Sequence, residues 1–198
     1  INTSLKCEDQ AQKYQSGGAR AISVLTDKEY FSGSLDDLHT VAEHVDIPVL
    51  RKDFIIDPIQ IYEAKFNGAT AILLITHILS ESSLRDLLSL AHDIGLQVLV
   101  ETHTEEEIEK ALRAGARIVG VNARDLETFQ VDLGRVVELG DAIPDEVLSV
   151  AESGIGTVKD AEMVYGAGYD AALIGTAFMR HKEPELFIKK ISDVCCQK

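Results

Sequence analysis

Three ionisable residues of this sequence stand where short, mainly apolar runs end, and together they could act as an acid and a base. Lys52, Glu101 and Glu152 each directly follow such a run. A sheltered lysine can donate a proton or bind a carboxylate, and a carboxylate opposite it can accept a proton. Any one of the three could instead be a surface charge in a loop. Three of them at equivalent positions favour one shared pocket.

Two glycine-containing turns follow the last two apolar runs and could bind an anion. Ser153 and Gly154 begin the first turn, and Gly175 and Thr176 form the second. In an eight-stranded α/β barrel, the loops after the last two strands often bind phosphate through backbone N–H groups. A single glycine turn is more often only a tight turn. Two at neighbouring strand ends favour a phosphate site.

Other candidate residues lie at the same predicted edge of the sheet. Asn122 and Arg124 follow the fifth apolar run, and the arginine could bind a carboxylate or phosphate, or pair with Asp125. Four apolar side chains could line an aromatic pocket or pack beneath loops: Phe31, Phe54, Leu73 and Leu126. His77 and His103 have no metal-ligand spacing with any partner, so we expect no metal site.

These residues must be positioned by a regular alternation of strands and helices. Apolar runs predict strands at 21–25, 48–51, 71–75, 96–100, 117–121, 147–151 and 171–175. Helices are expected near 8–16, 34–45, 58–67, 80–94, 104–114, 132–140, 157–167 and 184–193. Glycines after the helices and capping residues before them support these bounds, and Thr104 and Glu107 have the spacing of a capping box.

Alternating strands and helices predict an α/β fold with a parallel sheet. We expect a (β/α)8 TIM barrel that lacks its first β-strand, because seven strands are predicted and a helix comes before them. An open seven-stranded sheet is the alternative, and it would expose one edge at each end. Residues 1–198 are expected to form one domain, since no linker-like stretch interrupts them.

The composition favours a protein that acts on a small molecule. The net charge of −14 and the lack of a basic cluster argue against nucleic acid and anionic membrane as partners. No apolar run approaches the roughly 20 residues that span a bilayer. The three cysteines have neither disulfide nor zinc spacing. An odd count suits a reducing compartment, so we expect a cytoplasmic protein. We also expect a monomer or weak dimer.

Six segments, taken together and in this order, resemble the indole-3-glycerol phosphate synthase family, (β/α)8 enzymes of tryptophan biosynthesis. They are AISVLTDKEYFSGS, PVLRKDFIIDPIQIYEAK, LVETHT, VGVNARDLETFQVDL, AESGI and LIGTAFMR. The resemblance implies a carboxy-lyase that closes a ring with decarboxylation and dehydration. Its phosphorylated substrate would be 1-(2-carboxyphenylamino)-1-deoxyribulose 5-phosphate, its product would be indole-3-glycerol phosphate, and it would need no cofactor.

The same resemblance implies a role for each candidate residue. Lys52 would be the general acid of ring closure, and Glu101 would serve the later proton transfers and the dehydration. The substrate-binding residues would be Phe31, Phe54, Leu73, Asn122, Arg124, Leu126 and Glu152. The phosphate ligands would be Ser153, Gly154, Gly175 and Thr176.

The chain also departs from the family pattern. Family members have a first strand with a glutamate and a second catalytic lysine, a serine-rich phosphate loop and an N-terminal helical extension. All are expected to be missing, because Ile1 stands just after the position of that loop. Loss of one catalytic contact costs about 10²–10³ in rate, so we expect this chain to be weakly active or inactive.

Two other functions are weighed against this one. The first is a non-catalytic module, derived from the same barrel, that binds phosphorylated ligands without chemistry. The second is another phosphate-binding barrel, such as an isomerase. That function would explain the glycine turns, but not LRKDF and LVETHT at their observed positions.

Overall fold

The fold is built on a parallel β-sheet whose strands are hydrogen-bonded in chain order. The computed structural model describes residues 6–125, 128 and 130–195. The seven strands in that part of the chain are Ile22–Leu25 (β1), Val49–Lys52 (β2), Ala71–Ile75 (β3), Gln97–Thr102 (β4), Ile118–Asn122 (β5), Leu148–Glu152 (β6) and Ala171–Leu173 (β7). Pairing of each strand with the next one along the chain is the topology of a (β/α)8 barrel.

One helix precedes the first strand and further helices follow each strand. Helices cover the outer face of the sheet. They are Cys7–Ser16 (α1), Lys28–Phe31 (α2), Leu35–His44 (α3), Pro58–Phe66 (α4), Glu81–Asp93 (α5), Glu105–Ala114 (α6), Leu133–Leu139 (α7), Val158–Gly166 (α8), Thr176–Arg180 (α9) and Pro184–Cys195 (α10). Short 3₁₀ turns lie at Thr76–Ile78 and Gly140–Ala142. The eight predicted helices are confirmed. The sequence does not predict α2 and α9, because helices of four and five residues are too short to show a helical period.

The seven predicted strands are also confirmed, with bounds shifted by one or two residues. Strand β2 ends at Lys52 and β4 at Thr102, each beyond the predicted end. Strand β7 ends at Leu173, because Gly175 already begins the next helix as its N-cap. The polar residues at the ends of β2, β4, β5 and β6 are therefore strand residues with fixed backbone positions.

Side chains alternate between the two faces of the sheet. Residues that face the helices belong to one large apolar core, whereas Leu50, Leu73, Ile75 and Leu99 form a separate small cluster on the inner face. Because successive strand residues point to opposite faces, Lys52 shares the inner face with Leu50, two residues before it. The inner face is thus apolar at its centre and polar at the carboxyl-terminal ends of the strands.

The edges of the described sheet are β1 and β7, each paired with a single neighbour. Ser23 of β1 and the two alanines of β7 are exposed. On the outside, α1 packs against both α3 and α10 and so connects the two ends of the helical layer. This agrees with a (β/α)8 barrel that is one strand short of closure. None of the helices in the described ranges is both long and apolar enough to cross a membrane.

Candidate active site

Lys52 and Glu101 lie at the centre of a buried charge cluster at the carboxyl-terminal end of the sheet. Lys52 Nζ donates hydrogen bonds to Glu101 Oε2 at 3.0 Å and to Glu152 Oε2 at 3.5 Å. The two carboxylic side chains are 2% and 1% exposed, whereas the lysine side chain is 25% exposed. The lysine side chain is therefore the most exposed member of the cluster.

The protonation of Lys52 and Glu101 follows from burial and from their mutual attraction. Burial alone lowers the pKa of the Lys52 ammonium, but the charges of Glu152 and Glu101 outweigh it, and the pKa lies above its usual value. Burial alone raises the pKa of Glu101, but Lys52 and a hydrogen bond from Asn122 outweigh it, and the pKa lies below its usual value. At neutral pH the site thus holds a cationic lysine and an anionic glutamate.

Glu152 is the neutral member of the cluster at pH 7. Burial first, and then the negative charge of Glu101, raise the pKa of Glu152 to about 8. Its Oε1 atom is buried and has no hydrogen-bond partner. Two carboxyl groups beside one ammonium group do not ionise equally easily. The geometry therefore supplies an acid, a base and a carboxyl group that can donate a hydrogen bond.

Gly120 makes room for Glu152 and is not among the site residues predicted from the sequence. A β-carbon at position 120 would collide with Glu152 Oε1 and would lie 3.2 Å from Leu99 Cδ1. Gly120 stands in the middle of β5 and pairs with Glu101 across the sheet. A glycine inside a strand often marks a close approach by another group. The glycine within the fifth apolar run was therefore the sequence signal that could have identified this position.

The register of β2 determines which of three adjacent charged residues faces the cluster. Arg51 points to the helix side, where Nη2 donates to Asp53 Oδ2 at 3.0 Å and Nη1 donates to the Gln60 carbonyl oxygen at 2.6 Å. Thr26 Oγ1 also donates to Asp53 Oδ2. Of the three residues, only Lys52 reaches the inner face.

Asn122 connects the charge cluster to the chain that follows β5. Its Nδ2 donates to Glu101 Oε1 at 2.9 Å, and its Oδ1 accepts the Arg124 backbone N–H at 2.9 Å. The structure thus joins Asn122 directly to Glu101. It places the backbone of Arg124 beside the cluster, with a half-buried side chain.

His103 lies near the same oxygen of Glu101 as Asn122 does. Its Nε2 is 3.6 Å from Glu101 Oε1, and its Nδ1 is 3.3 Å from Glu107 Oε2. The predicted capping box at Thr104 is only half formed: Thr104 Oγ1 accepts the Glu107 N–H. The Glu107 carboxylate accepts the His103 N–H instead of the N–H of Thr104. It is held there by further hydrogen bonds from Thr76 and His77.

The two predicted phosphate loops follow β6 and β7. Ser153 and Gly154 adopt successive left-handed conformations, with φ of 65° and 77°. Gly154 is exposed and Ser153 is half-buried. In the second loop, Gly175 is the N-cap of α9 and has no side chain to accept the first N–H groups of the helix, which begins at Thr176. Both loops lie at the edge of the sheet that holds Glu152.

The predicted apolar residues occupy different levels of the site. Phe31 and Phe54 are stacked with ring centroids 6.3 Å apart and are 50% and 36% exposed. Leu73 is buried in the inner apolar cluster below them. Leu126 lies outside the described residues. Among those described, no group of three or more histidine, cysteine, aspartate or glutamate side chains is arranged to hold a metal ion.

Known proteins match this chain closely in sequence. The family model for indole-3-glycerol phosphate synthase matches residues 1–191. The indole-3-glycerol phosphate synthase of Mycobacterium avium is 47% identical over 88% of this chain and 64% of its own length. That of Lacticaseibacillus paracasei is 46% identical over 90% of this chain and 68% of its own length. This chain therefore spans about two thirds of the length of these curated relatives.

Solved structures of lower identity share the fold. A 3-hexulose-6-phosphate synthase from Salmonella typhimurium superposes with a TM-score of 0.80 at 14% identity, over 98% of this chain and 95% of its own. A thiamine phosphate pyrophosphorylase from Pyrococcus furiosus gives 0.75 at 16% identity, over 95% and 88%. These likenesses establish the barrel architecture. The family model and the sequence relatives go further: the chain belongs to the indole-3-glycerol phosphate synthase family.

Proposed function

We propose that this barrel acts in tryptophan biosynthesis as an indole-3-glycerol phosphate synthase. It would convert 1-(2-carboxyphenylamino)-1-deoxyribulose 5-phosphate into indole-3-glycerol phosphate, carbon dioxide and water. Family membership supports the reaction. The single observation that carries the proposal is the Lys52 ammonium group lying 3.0 Å from the buried Glu101 carboxylate at the carboxyl-terminal end of the sheet. The pair supplies both directions of proton transfer that this reaction needs.

In the ring-closing step, Lys52 donates its proton to the carbonyl oxygen of the substrate. As the aromatic carbon that bears the carboxylate bonds to the carbonyl carbon, negative charge develops on that oxygen, and a cationic acid stabilises it. Loss of carbon dioxide then restores the aromatic ring. The raised pKa of Lys52 keeps it protonated at neutral pH, so the acid is ready when the substrate arrives.

In the dehydration, the new hydroxyl group leaves as water and a neighbouring carbon loses a proton. Glu101 is ionised at neutral pH and can accept that proton. Glu152 retains its own proton, since its pKa is about 8, and can donate it to the departing hydroxyl group, which leaves as water. Asn122 keeps the Glu101 carboxylate in place through its hydrogen bond.

The rest of the substrate needs an apolar slot and an anion site. The stacked pair Phe31 and Phe54 would contact the aromatic ring above the apolar floor that contains Leu73. The backbone N–H groups around Gly154 and Gly175 would bind the phosphate, and the Arg124 guanidinium would bind a substrate carboxylate.

We expect the protein to act in the cytoplasm as a monomer or weak dimer.

The test combines ligand binding with turnover. The purified chain is titrated with indole-3-glycerol phosphate and with inorganic phosphate. Formation of indole-3-glycerol phosphate from the carboxyphenylamino substrate is followed by its fluorescence. We expect the indole ligand to bind more tightly than phosphate. Lys52→Met should reduce turnover by about 10²–10³, whereas Lys189→Met, on the exposed surface of α10, should not.

Two results would contradict the proposal. Turnover that is the same in Lys52→Met as in the unaltered chain would remove Lys52 from the mechanism and contradict the proposal. Equal affinity for the indole ligand and for inorganic phosphate would favour a different phosphate-binding barrel.

A further inference from the structure

We propose that His103 is a positioning residue that takes up and returns the proton of Glu101. The inference rests on the proposed function only in that it assigns Glu101 to proton transfer. Its basis is the juxtaposition of a buried imidazole with two carboxylates, Glu101 on one side and Glu107 on the other.

The ring of His103 is held at one nitrogen and unbound at the other. Glu107 Oε2 accepts the His103 backbone N–H at 2.8 Å and lies 3.3 Å from the ring Nδ1. The Nε2 atom is buried, has no hydrogen-bond partner and lies 3.6 Å from Glu101 Oε1. A histidine that serves only packing usually pairs its buried nitrogens, so an unpaired nitrogen beside an ionisable carboxyl group points to exchange between the two.

Glu107 determines which tautomer the ring adopts. Burial alone raises the pKa of Glu107, but hydrogen bonds from His103, Thr76 and His77 outweigh it and lower the pKa to about 2. The carboxylate can then only accept, so Nδ1 carries the proton and the Nε2 lone pair faces Glu101. A carboxylate that orients an imidazole in this way also stabilises its protonated form.

The proposed transfer follows the acceptance of a substrate proton by Glu101. The O–H bond at Glu101 Oε1 breaks and an N–H bond forms at His103 Nε2, which leaves a carboxylate and an imidazolium. The imidazolium then lies between Glu101 and Glu107. Transfer in the reverse direction restores the starting state before the next cycle, so no other reactant is consumed.

Other charged groups around His103 affect this exchange. His77 lies in the 3₁₀ turn after β3, with its ring centroid 6.5 Å from that of His103. Lys110 of α6 donates to the carbonyl oxygens of Thr76 and Leu79 on the same side. Lys52 faces the far side of Glu101. Two carboxylates, Glu101 and Glu107, flank the ring directly.

The first experiment needs no turnover. The side-chain ¹⁵N signals of the six histidines are followed by NMR as pH is varied, in the unaltered chain and in Glu101→Gln. We expect the proton of neutral His103 on Nδ1, and a change in the Nε2 signal in Glu101→Gln, because the group that this nitrogen faces is altered. His39, exposed on α3, is the internal control and its signals should stay unchanged. A proton on Nε2 of neutral His103, or an Nε2 signal that does not change in Glu101→Gln, would overturn the proposal.

The second experiment uses the pH dependence of turnover in chains that bind the indole ligand. His103→Gln should lower kcat by about 10²-fold with little change in KM, and should remove one limb of the pH–kcat profile. His39→Gln should leave the profile unaltered. A His103→Gln profile that superposes on the parent profile would overturn the proposal. If the proposed function fails and no turnover occurs, the NMR titration still decides the role of His103.

Discussion

Arg51 and Lys52 are neighbours in β2, yet they belong to buried charge clusters of opposite character. The Arg51 cluster, between the sheet and α4, pairs the guanidinium with Thr26, Asp53, Gln60 and Glu63. The Lys52 cluster, on the inner face, leaves Glu152 Oε1 without a hydrogen-bond partner. Buried polar groups in proteins are normally paired.

One strand therefore serves both a structural and a chemical purpose. The outer cluster is saturated, so it holds β1, β2 and α4 together and has no capacity for a ligand. The inner cluster is unsaturated, which costs stability but leaves acid and base groups for a substrate. A buried cluster whose polar groups are all hydrogen-bonded is typical of a structural role. A buried cluster with unpaired acid or base groups is typical of a catalytic or binding role.

The largest expected loss of stability follows from a substitution in the outer cluster. Arg51→Met should lower the free energy of unfolding by about 3–5 kcal/mol, because it leaves the buried Asp53 carboxylate without its cation. Urea denaturation measures this. Arg85→Met is the matched control, since its exposed pair with Glu81 contributes less than about 0.5 kcal/mol. Equal losses in the two variants would show that the outer cluster is not structural.

The next effect is the pH dependence of stability. The pKa of Glu152 is about 8 in the folded chain and 4.5 as the ordinary value. Its stabilising contribution is therefore complete below pH 4.5 and is lost as pH rises through 8. At about 1.4 kcal/mol for each pKa unit the full decline is about 5 kcal/mol. Glu152→Gln should remove most of it and be more stable at pH 9 by roughly 2–4 kcal/mol, since an amide does not reproduce every contact of the neutral carboxyl group.

Thermal and urea unfolding between pH 5 and 9 test this prediction. Glu146→Gln, on the loop before β6, is a control for general charge effects. Parallel pH curves for Glu152→Gln and the unaltered chain would mean that Glu152 is ionised in the folded state at neutral pH.

A smaller effect on stability is expected for the inner cation. Lys52→Met should lower the free energy of unfolding by about 2 kcal/mol, less than Arg51→Met, because Arg51 in addition donates hydrogen bonds to Thr26 and to the Gln60 carbonyl oxygen. Denaturation of the two variants at pH 7 gives the direct comparison. If Lys52→Met were as destabilising as Arg51→Met, the division between a structural and a chemical cluster would not hold.

The smallest expected loss of stability follows from a substitution at Gly120. Gly120→Ala places a methyl group against Glu152 and Leu99 and should cost about 1–2 kcal/mol through overpacking. Because the Glu152 carboxyl group must move, affinity for the indole ligand should also fall. Gly166→Ala is the control, since nothing lies within 4 Å of a β-carbon there. Unaltered ligand affinity in Gly120→Ala would show that the position of Glu152 does not matter for binding.

Much of the fold could be predicted from the sequence, because its signals are local. Apolar runs define the strands, and capping residues define the starts of long helices, as at Asp57 and Thr157, which both form complete capping boxes. The convergence of Lys52, Glu101 and Glu152 could also be predicted, since the carboxyl ends of parallel strands share one edge.

The orientation of individual side chains could not be predicted. A shift of one residue in β2 would exchange Arg51 and Lys52 between the two faces, and no sequence signal fixes that register. The space that Gly120 leaves for Glu152, and the 3.6 Å approach of His103 to Glu101, depend on distances between different strands and loops. Such distances arise only when the sheet has formed.

The ionisable core of the pocket lies in strands, whereas the groups proposed to contact the aromatic ring and the phosphate lie in loops and in the short helices that follow. Strands are fixed by their neighbours on both sides, but loops tolerate insertion and replacement. Evolution, or a protein engineer, can therefore exchange the parts that select a substrate while Lys52, Glu101 and Glu152 stay aligned. This separation makes the barrel a scaffold on which new substrate preferences can be installed one loop at a time.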